Sequence, residues 1–318
     1  MKSRLLPWLM LTPALALATL LPLRADDAKP LKVGFAQTGD EGAWRTANTE
    51  SMKSEAAKRG INLKFADCQE KQENQIRAIR SFITQHVDAI VLAPIVETGW
   101  DPVLREAKRA HIPVILTDRT IQTSDESLYT CFIGSDFYLE GKMVVDWLVK
   151  KTGGKGRIVE LFGTVGSAPA NERHKAFVDG IAAHPGLQII DSQSGDFRRS
   201  GGKEVMEAFL KKHGHDIDIV YAHNDDMALG AAQAIEEAGM KPGQDIVIVS
   251  IDAIREGIQA VIDGKINCVV ECNPLFGPKV YDTVARVVAG QQVDRKLYNH
   301  DDLFDSTNAA SVIASRQY

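Results

Sequence analysis

The chain has 318 residues, of which 44% are hydrophobic and 25% are charged, and its formal net charge is −5. These are the values of an ordinary soluble globular protein, and they exclude intrinsic disorder and fibrous or collagen-like structure. The length predicts about two domains, at roughly 100–200 residues per domain. No basic block or basic–aromatic stripe occurs, so nucleic acid is not an expected partner.

The first 25 residues have the pattern of a secretory signal peptide. Lys2 and Arg4 give a positive start, residues 5–23 are almost wholly apolar, and Ala25 precedes two aspartates. We expect cleavage after Ala25, which removes three basic residues and no acidic ones and takes the net charge from −5 to −8. The alternative is an uncleaved membrane anchor, which the three prolines within the run disfavour.

Short β-rich runs alternate with longer helical patterns over the first part of the remaining chain. One of these patterns places Ile76, Ile79 and Ile83 on a single helix face, as in a helix that packs on a core. The predicted elements are strand 31–37, helix 41–60, strand 62–66, helix 72–85, strand 89–93, helix 102–110 and strand 113–117.

A second series of the same kind follows, and helices are expected after its last two strands. Its elements are strand 129–134, helix 138–151, strand 157–162, helix 171–183, strand 187–192, helix 202–212, strand 217–222, helix 227–238, strand 245–251 and strand 266–270. This alternation predicts parallel sheets, and the apolar strands predict sheets covered on both faces. There are too many units for one core, so we predict an α/β fold of two doubly wound, Rossmann-like lobes.

In doubly wound sheets, ligands bind beyond the carboxyl ends of the strands. The residues that follow the predicted strands combine planar polar groups with two aromatic rings. Carboxylates accept hydrogen bonds, guanidinium groups donate them in pairs, and amides do both, which suits the hydroxyls of a neutral sugar. The candidate binding residues are Glu41, Trp44, Arg45, Asp118, Arg119, Arg173, Phe197, Asn224 and Asp252.

Each candidate also has a purely structural interpretation. The aspartates and Asn224 could be turn or helix-cap residues, Arg119 and Arg173 could form surface ion pairs, and the aromatic residues could belong to the core. The position that they share, after predicted strands, favours a binding site.

Several segments resemble the periplasmic sugar-binding proteins of the ribose/galactose type, and some resemble the galactofuranose-binding branch in particular. The resemblance covers nearly all of residues 31–303. The segments that resemble the ribose/galactose type are LTDR (116–119), GDFRRSGGKEVM (195–206), YAHNDDMALGA (221–231) and SID (250–252). The segments that resemble the galactofuranose-binding branch are VGFAQTGDEGAWR (33–45), KQENQIRAIRSF (71–82) and TGW (98–100).

This resemblance implies a periplasmic, monomeric protein without a cofactor, whose two lobes close on one monosaccharide and which delivers it to an ABC-type permease. Three crossovers would join the lobes, near 134–136, near either 252–254 or 272–274, and after Tyr298. The lobes would comprise residues 26–135 plus 273–302 and residues 136–272 plus 303–318. The first five candidate residues would come from the first lobe, and the last four from the second.

The sequence departs from the ribose-binding pattern at positions that bear on the sugar. That pattern has two phenylalanines where Ala43 and Trp44 stand here, and it has Asn and Gln in place of Ala93 and Cys272. Ribose specificity is therefore disfavoured, and Trp44 with Arg45 favours galactofuranose. Ribose, arabinose or galactose as the ligand, and a role as a chemoreceptor ligand carrier, remain alternatives.

The competing functions have weaker support in the sequence. A glycoside-processing enzyme could use Asp118 and Asp252, but the adjacent Arg119 favours an ionised carboxylate over a proton donor, and common catalytic motifs are missing. His213, His215 and Asp216 resemble a metal cluster but lie in an expected solvated loop, so no metal is predicted.

The four cysteines do not predict a disulfide scaffold. Cys268 and Cys272 would lie roughly 13 Å apart on one strand, which is too far to pair. The pairing of Cys68 and Cys131 stays open.

Overall fold

The computed structural model describes residues 29–318, so the predicted signal peptide at 1–25 lies outside the described residues. The strands are β1 (Lys32–Gln37), β2 (Asn62–Asp67), β3 (Ala89–Leu92), β4 (Val114–Thr117), β5 (Cys131–Gly134), β6 (Lys155–Phe162), β7 (Gly186–Ser194), β8 (Ile219–Ala222), β9 (Val247–Asp252), β10 (Cys268–Glu271), β11 (Lys296–Tyr298) and β12 (Leu303–Asp305).

Helices connect these strands. They are α1 (Ala43–Lys58), α2 (Gln72–Thr84), α3 (Asp101–Arg109), α4 (Phe137–Thr152), α5 (Ala168–Ile181), α6 (Arg199–His213), α7 (Asp225–Glu237), α8 (Arg255–Ile262), α9 (Gly277–Val288) and α10 (Ala309–Val312). Each predicted strand and helix is present, with its ends shifted by a few residues.

Two six-stranded sheets organise the fold, in the orders β11-β5-β4-β3-β1-β2 and β12-β10-β9-β8-β6-β7. All paired strands are parallel except β10 and β12, which are antiparallel. The central strands are buried along their whole length, because helices cover both faces of each sheet. The predicted α/β fold of two doubly wound lobes is confirmed.

The chain passes between the two sheets three times. It does so between β5 and β6, between β10 and β11, and between β11 and β12. The alternative crossover at 252–254 is wrong, because β9 and β10 are neighbours in the same sheet. We propose the lobe boundaries given above, 26–135 plus 273–302 and 136–272 plus 303–318, since each range holds the strands of one sheet.

All four cysteines are buried and free. Burial raises the pKa of the Cys68 thiol to about 12 and that of the Cys131 thiol to about 11. Thiols of this kind behave as small apolar side chains and react slowly. Among residues 29–318, every helix is too short or too polar to cross a bilayer.

Helices α6 and α7 pack backbone against backbone at glycines. A Cβ atom at Gly230 would overlap the carbonyl oxygen of Arg199 and lie 2.8 Å from the amide nitrogen of Lys203. A Cβ atom at Gly202 would lie 2.5 Å from the Cα atom of Met227. Backbone atoms cannot move aside as a flexible side chain can, so both positions require glycine.

The variant Gly230→Ala tests this packing. Helix propensity alone would make the change stabilising by about 1 kcal/mol. Overpacking against the α6 backbone should reverse that sign and lower the free energy of unfolding by about 1–3 kcal/mol. Urea denaturation would measure the change, with Ser200→Ala on the exposed face of α6 as the control. A stabilised Gly230→Ala protein would show that the helices are not in close contact.

Candidate functional site

One cavity lies between the carboxyl ends of the two sheets. About 30 Å³ of this cavity is open to the centre of a water-sized molecule, so it is a small space. The cavity brings together all nine residues that the sequence singles out. Its lining residues are Glu41, Trp44, Arg45, Asp118, Arg119, Pro169, Arg173, Phe197, Asn224, Asp252 and Cys272.

The wall from the first sheet is a network of four paired charges. Arg45 Nη2 donates to Asp118 Oδ2 at 2.6 Å, and Arg119 Nη2 donates to Glu41 Oε2 at 2.7 Å. Arg45 Nη2 also lies 3.1 Å from Glu41 Oε2, so the two ion pairs are joined. The four side chains are 5% exposed or less. Such burial is tolerated because every charge has an opposite partner.

Glu41 and Arg119 show how this network is prepared for a ligand. Burial alone would raise the pKa of Glu41, but the guanidinium groups of Arg119 and Arg45 outweigh it and hold the pKa below its ordinary value. The buried Nε of Arg119 has no hydrogen-bond partner among the described residues. This Nε lies 3.5 Å from Asp118 Oδ2, so the wall combines a charged acceptor with a weakly paired donor.

The wall from the second sheet is centred on Arg173 in α5. Its Nε donates to Glu140 Oε2 at 2.8 Å, and its Nη1 donates to the His223 carbonyl at 2.6 Å. Its Nη2 lies 3.8 Å from Asp252 Oδ1. Burial raises the pKa of Asp252 well above its ordinary value, and the nearby Arg173 opposes this only in part.

Asn224 caps a helix and also lines the cavity. Its Oδ1 accepts a hydrogen bond from the Met227 amide at 3.0 Å and so caps α7. Its Nδ2 donates to the Phe197 carbonyl at 3.0 Å. The cap orients the amide group at the cavity edge, so the helix-cap interpretation is confirmed and the binding role stays a prediction.

The two aromatic candidates flank the cavity from opposite lobes. Trp44 Nε1 donates to the Cys272 carbonyl at 2.5 Å, which fixes the indole plane. The ring of Phe197 lies 5.5 Å from the Arg119 guanidinium, a cation–π contact between the lobes. A Cβ atom at Gly163 would overlap the Phe197 ring, so this glycine makes room for it.

Three of the nine candidates have a positive φ angle. The values are 62° for Asp118, 59° for Phe197 and 124° for Asp252. Residues other than glycine rarely adopt this region, and such strained positions are common at binding sites.

The cavity is lined by equal numbers of acidic and basic side chains. Three carboxyl groups and three guanidinium groups line it. A neutral ligand with several hydroxyls can form hydrogen bonds with both kinds of group.

The lobes are in contact at the rim of the cavity. The Glu97 amide donates to the Gly166 carbonyl at 2.9 Å, and the Ala43 amide donates to Asp226 Oδ2 at 2.9 Å. Glu70 and Arg198 form a third contact, an ion pair. The structure is therefore the closed arrangement.

Three residues of this region are not among the nine sequence-based candidates. Cys272 follows a predicted strand, but its sequence context suggested a crossover, a disulfide question and a departure from the ribose pattern rather than a lining residue. Pro169 lies in the first turn of α5 and has no polar side-chain group that would mark it as a candidate. Glu140 lies within α4, behind Arg173, and only the tertiary structure shows its contact with the site.

The histidine cluster does not form a metal site. His213 Nε2 is hydrogen-bonded to Asp191 Oδ2 at 2.8 Å. Within residues 29–318, no three metal-ligating side chains come close enough to hold an ion.

Comparison with known proteins identifies the family. The model described as "Periplasmic binding protein domain" matches residues 33–292. The chain belongs to the periplasmic binding protein family. Its members are binding proteins and not enzymes. The sequence-based identification of a periplasmic sugar-binding protein is confirmed.

Three members of the family show how similar this binding protein is to known ones. Galactofuranose-binding protein YtfQ of Escherichia coli (strain K12) is 53% identical over 85% of this chain and 86% of the relative. A Mycobacterium smegmatis structure in complex with β-D-fucofuranose has a TM-score of 0.88 and 53% identity, over 91% of this chain and 95% of that one. The binding protein of the Shewanella sp. ANA-3 arabinose ABC transporter, bound to α- and β-L-arabinofuranose, has a TM-score of 0.87 and 49% identity, over 90% and 95%.

The variant Glu140→Gln tests the electrostatics behind Arg173. Burial raises the pKa of Glu140 to about 7, even though Arg173 opposes the shift. Between pH 5 and 7 the native protein then holds a proton that the unfolded chain releases, so this group makes stability fall as pH rises. Glutamine has no such proton. The difference in unfolding free energy, variant minus wild type, should grow with pH by up to about 1.4 kcal/mol per unit.

Urea denaturation at intervals between pH 5 and 8 would measure this difference. Glu50→Gln, at an exposed position of α1, is the matched control. A difference for Glu140→Gln that stays constant over this range would contradict the raised pKa.

Proposed function

We propose that this periplasmic binding protein captures one monosaccharide in its furanose form, with galactofuranose as the first candidate, and delivers it to an ABC-type permease. The observation that carries the proposal is the cavity, which is lined by planar polar groups from both lobes and by two aromatic rings. The similar proteins named above add support, since their described ligands are galactofuranose, fucofuranose and arabinofuranose.

The nine candidate residues would divide the recognition of the sugar. Carboxylates and guanidinium groups would pair with its hydroxyls, and hydrogen bonds to charged groups contribute ~1.5–3 kcal/mol each. Trp44 and Phe197 would cover the C–H faces of the ring. Because the polar groups come from both lobes, the sugar stabilises the closed state through contacts that exist only in that state.

Transport follows from this closure. The permease would recognise the closed, loaded form and open it, so no covalent bond changes. The protein would act as a monomer in the periplasm after removal of residues 1–25. The acidic net charge of −8 expected for the processed chain disfavours adhesion to an anionic membrane surface.

A thermal-shift panel tests the ligand class. The panel comprises methyl β-D-galactofuranoside and methyl β-D-galactopyranoside, which hold galactose in one ring form each, together with L-arabinose, D-ribose and D-glucose. A sugar at about 100 times its Kd should stabilise the protein by ~2.7 kcal/mol. The largest shift is expected with the galactofuranoside, and the smallest with glucose. No shift with any of these sugars, or an equal shift with all of them, would overturn the proposal.

The variants Arg119→Ala and Asp252→Ala test the site itself. Each change leaves buried partners unpaired, so sugar affinity should fall at least about tenfold. Isothermal titration calorimetry with the sugar of largest thermal shift measures the change. Arg109→Ala, at an exposed position of α3, is the control and should bind as the wild type does. Unchanged affinity in both site variants would show that the sugar binds elsewhere.

A further inference from the structure

Asp226 joins the two lobes without touching the cavity. It is the second residue of α7, and only 5% of its surface is exposed. Its Oδ2 accepts a hydrogen bond of 2.9 Å from the amide of Ala43, which is the first residue of α1 in the opposite lobe. Its Oδ1 accepts from Arg199 Nη2, also at 2.9 Å, within its own lobe.

The contact with Asp226 caps the N-terminus of α1, because the residue that precedes this helix provides no capping side chain. The residue before it is Gly42, which has no side chain to accept from the first amides, and its first turn contains no acidic residue. Helix N-termini normally receive both an acceptor and a negative charge from neighbouring side chains. Asp226 supplies both, but it comes from the other lobe.

Gly42 allows this approach. A Cβ atom at position 42 would overlap Asp226 Oδ2. The residue also has a φ angle of 134°, which favours glycine. The second lobe can therefore reach the end of α1 only because position 42 lacks a side chain.

The position of α1 matters for the site, because its first turn carries Trp44 and Arg45. Arg45 is hydrogen-bonded to Asp118, and Trp44 is hydrogen-bonded to the carbonyl of Cys272. A shift of the helix end would therefore move both walls of the cavity. The ion pair across the rim, Glu70 with Arg198, has side chains that are 30% and 46% exposed and is screened by water. The buried Asp226 contact is the stronger link.

We propose that Asp226 is a positioning residue for the sugar site: it completes the N-terminus of α1 from the opposite lobe when the protein closes, and thereby sets sugar affinity. This proposal rests on the proposed function for its ligand. The stabilisation by the helix cap does not depend on the identity of the ligand, because the hydrogen bond from Ala43 to Asp226 forms whenever the lobes close. In the open state α1 lacks its cap, so closing restores a stabilising contact.

The variant Asp226→Ala should weaken sugar affinity by about tenfold, as expected for loss of a helix cap. The change should lie mainly in the dissociation rate. Glu256→Ala is the matched control. Glu256 is the other carboxylate paired with Arg199, at 2.7 Å, but it is 63% exposed and lies in the same lobe. Stopped-flow and calorimetric titrations with the sugar of largest thermal shift compare the two variants.

A second measurement needs no sugar. The pair Glu70→Cys and Arg198→Cys places two thiols across the rim, and the four native cysteines are buried. A short bis-maleimide should link the pair only when the lobes close. Linking should be about tenfold slower with Asp226→Ala than with Glu256→Ala. Gly42→Ala, which blocks the contact and leaves the second lobe unchanged, should also slow it.

The outcomes separate the two proposals. If no sugar in the panel binds, the proposed function fails, and the cross-linking rates alone decide the role of Asp226. Equal linking rates in the Asp226→Ala and Glu256→Ala proteins overturn that role. Equal sugar affinities of these two variants also overturn the role of Asp226, provided that the wild type binds a sugar. Slower linking together with weaker binding supports it.

Discussion

The pairing of buried guanidinium groups with carboxylates is the interaction on which the cavity depends. Neither Arg45 nor Arg119 could be buried to this extent alone, because an uncompensated charge in the interior costs several kcal/mol. Glu41 and Asp118 remove that cost and also fix the directions of the guanidinium planes. The same pairs thus hold the fold together at the ends of the strands and orient the polar surface that a ligand meets.

The two lobes compensate the charge of their buried guanidinium groups in different ways. The first lobe pairs its charges within the wall of the cavity, so the lining is itself the network. The second lobe places Arg173 at the cavity and its main partner, Glu140, behind it. Asp252 is left with a weak ion pair of 3.8 Å. A ligand would therefore meet a preorganised wall on one side and less fully paired groups on the other, which suits a site that is completed by closure.

The candidate site could be predicted from the sequence because parallel sheets put function at a fixed place. Asp118 follows β4, and Asp252 is the last residue of β9. Both strands are readable from apolar runs alone, and the carboxyl ends of parallel strands share one edge. For a single residue, the sequence alone could not separate a structural role from a binding role. Asn224 proved to be a helix cap as well as a lining residue, and only its position in the folded chain shows that both hold.

The sequence by itself determined the alternation of strands and helices, the two-lobe α/β architecture and the strand ends at which the polar groups lie, because these follow from local periodicity. Only the tertiary structure decided which charges pair, that the second crossover follows β10, and that Asp226 reaches α1 from the other lobe. The contact between Glu140 and Arg173 is another feature that only the tertiary structure decided, since the two residues lie on different helices. These features depend on contacts between residues far apart in the chain, which no local pattern encodes.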